Sequence, residues 1–288
     1  MSAPTISFEF FPPKSLDASF QLWDTLRALQ HLDPAFVSVT YGAGGTTREL
    51  THEAVETIRG RTGIDVAAHL TCVDASRSET LAIAERYAQA GVSRIVALRG
   101  DPPAGADGFQ AREDGFANSV ELVEALARTG AFEITVGAYP DPHPEAAHEG
   151  ADVEWLKRKI DAGATSAITQ FFFEAETYFR FRDRCAKAGI DAPILPGILP
   201  IQSWAGVKTF AARCGARIPP ALERGFETAE RDGRSALLAL TQCTTLCTRL
   251  LDEGVEHLHF YTLNRPDMTR EVVNALGLVP PAALEKVA

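Results

Sequence analysis

The chain has 288 residues, of which 45% are hydrophobic and 23% charged. These are ordinary globular values that exclude a disordered or fibrous protein, and the length suits one α/β barrel as well as two small domains. A formal charge of −10 excludes a general nucleic-acid or anionic-membrane surface, so an anionic ligand must be met by local basic groups.

In chain order, β-rich runs alternate with segments of helical period. Thr5–Phe11 predicts the first strand, and a helix follows near 18–31. Positions 7, 9 and 11 share a strand face, which puts Glu9 beside Ser7 and Phe11. An aromatic setting would raise the pKa of that carboxyl and suit it to general-acid work; the alternative is a plain surface carboxylate. Phe36–Tyr41 predicts the second strand, ending on Gly42-Ala43-Gly44-Gly45-Thr46-Thr47. That loop lacks the Gly-x-Gly-x-x-Gly and Walker patterns of nucleotide binders. A helix near 48–60 leads to the third strand, Val66–Cys72, which carries His69. His69 reads first as a hydrogen-bonded inner residue and second as a metal ligand.

Ser78 is the expected N-cap of the helix near 78–90, and the fourth strand, Arg94–Arg99, ends in Gly100-Asp101-Pro102-Pro103. Arg99 and Asp101 are either a binding site or a structural ion pair on one face. After the helix near 118–129, the fifth strand, Glu133–Tyr139, leads to Pro140-Asp141-Pro142-His143. The helix at 151–162 carries Asp152, Arg158 and Lys159, a charge pattern that suits either the helix dipole or a phosphate-bearing ligand. Ala167–Phe173 is the sixth strand, holding Gln170, followed by a helix near 175–188. Ile194–Leu199 is the seventh strand, with a helix near 203–213. Residues 217–253 are surplus and predict a helical insertion. His257–Leu263 is the eighth strand, and a last helix lies near 268–276. His257 and His259 share a face without a third ligand nearby, so no metal site is expected. Gly91, Gly163 and Gly189 stand where helices should end.

Eight strand–helix units without a linker predict a single (β/α)₈ TIM barrel over residues 1–288, with an extra helical segment between the seventh helix and the eighth strand. Polar residues gather at the strand C-termini, where barrels of this kind place their chemistry. The cysteines at 72, 185, 214, 243 and 247 are odd in number and scattered, which reads as reduced thiols in a cytoplasmic protein. No signal peptide and no apolar run of about 18 residues is visible, so no membrane partner is expected.

Nine segments carry a family resemblance. They are Phe8-Glu-Phe-Phe-Pro-Pro-Lys14, Phe36-Val-Ser-Val-Thr-Tyr-Gly42, His69-Leu-Thr-Cys72, Ala97-Leu-Arg-Gly-Asp-Pro102, Ala138-Tyr-Pro140 with His143-Pro-Glu-Ala146, Lys157-Arg-Lys-Ile-Asp-Ala-Gly-Ala164, Ile168-Thr-Gln-Phe-Phe-Phe173, Pro196-Gly-Ile-Leu-Pro200 and His259-Phe-Tyr-Thr-Leu-Asn264. In this order they resemble the bacterial-type methylenetetrahydrofolate reductases, from about residue 6 to residue 277.

The resemblance implies a barrel that binds FAD and takes NADH or NADPH as donor. By a ping-pong route it would reduce 5,10-methylenetetrahydrofolate to 5-methyltetrahydrofolate, supplying methyl groups for methionine. It implies Glu9 as general acid and Asp101 as a charge beside flavin and pterin. FAD contacts would fall on Thr40, His69, Arg99, Gly100, Asp101, Tyr139, His143, Asp152, Arg158 and Lys159. Contacts to folate or nicotinamide would fall on Glu9, Asp101, Gln170, Phe210, Tyr261 and Arg265. A homo-oligomer is implied as well. This chain has Trp155 where some members have asparagine, and Gly206 where some have glutamine. The rival reading is a flavin-free folate barrel, a lyase or methyltransferase.

Overall fold

A computed structural model describes residues 3–42, 47–102, 105 and 108–278. Most of the glycine-rich loop after Gly42, and Pro103, lie outside the described residues.

The strands are β1 (Thr5–Phe10), β2 (Phe36–Val39), β3 (Val66–Thr71), β4 (Arg94–Leu98), β5 (Glu133–Ala138), β6 (Ser166–Thr169), β7 (Ile194–Leu195), β8 (Gly197–Ile198) and β9 (His257–Tyr261). The helices are α1 (Leu16–Gln30), α2 (Arg48–Thr62), α3 (Arg77–Gln89), α4 (Ser119–Ala127), α5 (Ala151–Asp161), α6 (Ala175–Lys187), α7 (Trp204–Cys214), α8 (Pro220–Arg231), α9 (Ser235–Asp252) and α10 (Pro266–Ala275).

All pairings are parallel, in the order β7-β6-β5-β4-β3-β2-β1-β9-β8. The expected seventh strand is split at Pro196, which has no N–H to give to a ladder. Its first half pairs with β6 and its second with β9, and the Pro196 carbonyl still accepts from the His259 N–H at 3.1 Å. The two halves bring the sheet round to its starting edge, so the barrel closes through one kinked segment. The surplus stretch forms α8 and α9, as expected. α9 buries Cys243 and Cys247 on its inner side, where they pack as core.

Three local expectations need correcting. Strand six stops at Thr169, and Phe171, Phe172 and Phe173 leave the sheet to be buried in the core. The N-cap of α3 is Ser76, which forms a capping box with Glu79; Ser78 lies inside the first turn. Thr40, Arg99, Tyr139 and Gln170 stand just beyond their strands rather than within them.

The main core lies between sheet and helices. It includes Phe8 and Phe10, which point outward from β1 and are almost fully buried. A second cluster fills the barrel interior with Phe36, Ala67, Val96 and Ile168, and with Leu98, Leu195 and Tyr261 packed against it.

Candidate active site at the strand C-termini

Glu9 lies on the inner face of β1, its side chain 14% exposed. Ser38 on β2 donates its hydroxyl to Glu9 Oε2 at 3.3 Å. His69 Nε2 on β3 is 3.2 Å from the same oxygen, and His259 Nε2 on β9 is 3.5 Å away. Both ring nitrogens face Oε2, somewhat off the ideal hydrogen-bond direction.

Burial is the largest influence on the carboxyl and pushes its pKa up. The charge of His69, with hydrogen-bonding from His259 and His69, outweighs it and holds Glu9 at about 2. The sequence reading expected a raised pKa from aromatic neighbours. Phe8 and Phe10 face the other way, and Phe11 lies past the strand at 41% exposure. Imidazoles brought in by register set the carboxyl's charge. With both rings neutral, burial alone would act and the carboxyl would hold a proton more readily.

From Glu9 a polar arc runs over β3, β4 and β5. Thr71 Oγ1 and His69 Nε2 are buried without hydrogen-bond partners. Gly100 has φ +87°, and a Cβ there would meet Thr71 and Val73 at 3.0 Å. Arg99 pairs with Glu145, Nη1 to Oε2 2.6 Å, and lies over the Phe109 ring; its ion pair is with Glu145 and not with Asp101. Asp101 is exposed. Burial, with help from the Asp101 charge, pushes the Tyr139 hydroxyl up to about 12. Tyr139 and His143 meet edge to face, ring centroids 4.7 Å apart. The His143 N–H donates to Asp152 Oδ2 at 3.2 Å, and His143 Nδ1 accepts from the Glu145 N–H at 3.1 Å. Thr40 holds the end of β2 through its backbone, donating to the Phe10 carbonyl and accepting from the Thr51 hydroxyl.

Arg158 and Lys159 behave differently from each other. Arg158 lies over the exposed Trp155 ring, 4.3 Å from its centroid. Lys159 is buried, and its Nζ donates to the Gly137 carbonyl at 2.5 Å. Burial pulls its pKa down to about 8, while Asp152 opposes the shift.

The other side of the mouth is mainly aromatic. Phe210 on α7 stacks on Phe171, centroids 5.3 Å apart and 14° from parallel. Phe171 meets Tyr261 edge to face. The Tyr261 hydroxyl donates to the Thr169 carbonyl at 2.7 Å, which spans the barrel interior. Gly197 makes room for it, because a Cβ there would fall 2.6 Å from the Tyr261 ring and 2.2 Å from the Thr169 carbonyl oxygen. Gln170 turns its Oε1 onto the Phe171 N–H at 3.1 Å. The Arg265 side chain is exposed at the start of α10.

Ser38 and Thr71 stand at strand ends in the sequence and His259 shares a face with His257, but sequence reasoning assigned none of the three a role beside Glu9. The available signal was alternation: Thr5, Ser7 and Glu9 on one strand, His257 and His259 on its partner. Asn264, in the left-handed region at φ 54°, locks the end of β1. It accepts from the Phe11 N–H and donates to the Phe11 carbonyl.

Comparison with known proteins places this geometry. The sequence profile described as "Methylenetetrahydrofolate reductase" matches residues 1–277. The 5,10-methylenetetrahydrofolate reductase of Salmonella typhimurium is 45% identical over 276 residues, 96% of this chain and 91% of that protein. That of Escherichia coli is 44% identical over the same shares. Methylenetetrahydrofolate reductase (NADH) 1 of Arabidopsis thaliana is 33% identical, with 97% of this chain aligned to 49% of that protein. Among solved structures, a Clostridium thermocellum protein that binds two copies of 5-methyl-5,6,7,8-tetrahydrofolic acid has the same fold. The two superpose at a TM-score of 0.62 with 13% identity, covering 96% of each chain. On the length and identity of these matches, the chain belongs to the methylenetetrahydrofolate reductase family.

Proposed function

We propose that this chain reduces 5,10-methylenetetrahydrofolate to 5-methyltetrahydrofolate with bound FAD and a nicotinamide donor, by a ping-pong route. The observation that carries the reading is the buried Glu9–His69–His259 cluster at the end of a polar arc, in a chain of this family.

The arc suits a flavin. It offers the buried Thr71 hydroxyl without a hydrogen-bond partner, a glycine at Gly100 that seats the backbone directly on Thr71 and Val73, and the linked set Tyr139, His143 and Asp152. Thr40, Arg99, Gly100 and Asp101 would hold the ring end. Asp152, Arg158 and Lys159 would hold the phosphate end, with Arg158 the residue more open to solvent. Bound there, FAD would carry hydride from NADH or NADPH to the folate.

The chain's own residues would do the rest. Glu9 would pass a proton to a ring nitrogen of the folate and open the five-membered ring to the reactive iminium. The three protein contacts converge on Oε2, which leaves the other carboxyl oxygen for the ligand. Asp101 would favour the cationic iminium electrostatically. Gln170 keeps its amide N–H groups for a pterin edge. Phe210 would offer a flat face to an aryl ring, and Arg265 a charge to the glutamate tail. The family's methyl product would serve methionine synthesis in the cytoplasm.

The test is an anaerobic visible spectrum of the protein with FAD. Flavin bands that bleach with NADH or NADPH and return with methylenetetrahydrofolate are the expected result. A protein that takes up no FAD would contradict the reading and favour a flavin-free lyase or methyltransferase.

A further inference from the structure

Below Glu9 a polar seam runs down the barrel interior along β1 and β9. β1 and β9 are paired in the register Thr5↔His257, Ser7↔His259 and Glu9↔Tyr261. Barrel interiors are ordinarily filled by branched apolar side chains. Here Thr5 Oγ1 is 2.7 Å from His257 Nδ1, Ser7 Oγ is 2.7 Å from His257 Nε2, and Ser7 Oγ is 2.7 Å from His259 Nδ1. His259 Nε2 then faces Glu9 Oε2 at 3.5 Å. Ser7 and His259 are fully buried, whereas Thr5 is exposed at the N-terminal end of the barrel.

We propose that Thr5, His257, Ser7 and His259 form a proton relay that refills Glu9 from the end of the barrel opposite the mouth. These are positioning residues acting through Glu9, and the inference rests on the folate-reducing role proposed above.

Two proton arrangements satisfy the three 2.7 Å contacts. With Glu9 ionised, Thr5 donates to His257 Nδ1, His257 Nε2–H to Ser7, Ser7 to His259 Nδ1, and His259 Nε2–H points at the carboxylate. If each proton advances by one bond, Glu9 gains the proton from His259 Nε2. Each relay atom behind it gains the next proton, and one proton enters at Thr5 from water. In the second arrangement Glu9 donates to His259 Nε2, and the chain runs the other way. Thr5 then donates to the Glu256 carbonyl, 3.3 Å from its hydroxyl. No atom or charge is lost: one solvent proton enters and one carboxylate becomes a carboxyl. Reduction of the folate by hydride consumes one proton per turnover, which the relay replaces.

The surroundings favour a neutral His257 ring. Phe36 stacks on both imidazoles, centroids 5.6 and 5.9 Å away. Burial, with the charges of His259 and Arg94, holds His257 down at about 3. The charged and titratable groups that face the seam are His69 on β3, Arg94 on β4 with its partner Glu133 on β5, and Tyr261 on β9. Ser38 on β2 completes the lining. The last link is the longest and closes only when Glu9 or His259 turns toward the other.

Ser7→Ala removes the central hydroxyl from both rings. Its folate-driven reoxidation of the flavin should slow about tenfold, with the basic limb of the pH profile displaced by about one unit to lower pH. FAD affinity and the reduction of flavin by nicotinamide should not change. In the resting protein, ¹⁵N NMR of the histidine rings should show His257 and His259 as neutral rings in matched tautomers, and Ser7→Ala should abolish the match. An unaltered pH profile, or two rings doubly protonated at neutral pH, would overturn the relay. Should Ser7→Ala fail to fold, His257→Asn applies the same test at the partly exposed end. If the unaltered protein does not reduce the folate at all, the functional reading fails, and the ring tautomers still decide whether the relay exists.

Discussion

The barrel interior has two walls of different kinds. One, built from Phe36, Ala67, Val96 and Ile168 with Leu98 and Leu195, is apolar and closely packed. The other, the β1–β9 seam, is a line of hydroxyls and imidazoles at 2.7 Å spacing ending on Glu9. The first wall holds the barrel together by excluding water. The second gives up that stabilisation to place a charge cluster. Phe36 belongs to both, since it packs in the apolar wall and stacks on the two seam histidines. The two walls should therefore fail differently when altered.

Phe36→Ala should be the most damaging. Removing a buried ring costs about 3–5 kcal/mol, and it should loosen the imidazoles too. A thermal melt checks the first effect and histidine NMR the second; a melt within experimental error of the parent would mean that the apolar wall is not stabilising.

Gly197→Ala tests the closure of the barrel. Its Cβ would press on the Thr169 carbonyl and the Tyr261 ring, and overpacking of this sort costs about 1–3 kcal/mol. Tyr261→Phe combined with Gly197→Ala should recover part of the loss, because it removes the hydroxyl that the new methyl would meet. No recovery in the melting temperature would place the strain at the carbonyl and the ring carbon rather than at the hydroxyl.

The seam makes a prediction about acid. Glu9 titrates near 4.5 when unfolded and at about 2 when folded. A depressed carboxyl contributes stability that is complete above the unfolded value and is lost as pH falls through the folded one. Glu9→Gln should thus shrink the loss of stability between pH 4.5 and pH 2. Identical acid titrations of parent and variant would show that the imidazoles do not hold the carboxylate.

Lys159 gives a slope of the same sign in a more basic range, because burial disfavours its charged form. Its pKa falls from 10.5 to about 8 on folding, so the unfolded chain binds more protons between those values and stability rises with pH there. Lys159→Met should flatten that rise in chemical denaturation measured from pH 8 upward. A slope equal to the parent's would show that the ammonium is not desolvated.

Much of this organisation was legible in the sequence. Parallel strands buried on both faces announce themselves as short apolar runs, and the mouth residues followed from their position at the run ends. The end of β6 did not show, because Phe171–Phe173 have the same β-propensity in or out of a sheet; Phe171 packs on Phe210 and Tyr261 at the mouth, and Phe172 on Tyr178 of α6. The break at Pro196 was visible as a residue but not as a break, since an edge can tolerate proline and a closed ladder cannot. Glu9 was found, yet its charge state was misread. Sequence neighbours suggested aromatic rings, whereas pleat sends Phe8 and Phe10 to the far side and register supplies His69 and His259. Cross-strand partners are fixed by pairing, which a single sequence does not spell out. Asp152, Arg158 and Lys159 share one short helix, but their side chains part company, the arginine toward solvent and the lysine inward.

Under the proposed function the Glu9 cluster serves the folate step and not the flavin step. Anaerobic stopped-flow absorbance of the FAD-loaded protein separates the two, in the parent and in Glu9→Gln. Nicotinamide-driven bleaching should proceed at a similar rate in both, while folate-driven return of the flavin band should slow by about 10²–10⁴-fold in the variant. Equal slowing of both half-reactions, or a folate step that survives the substitution, would contradict the claim.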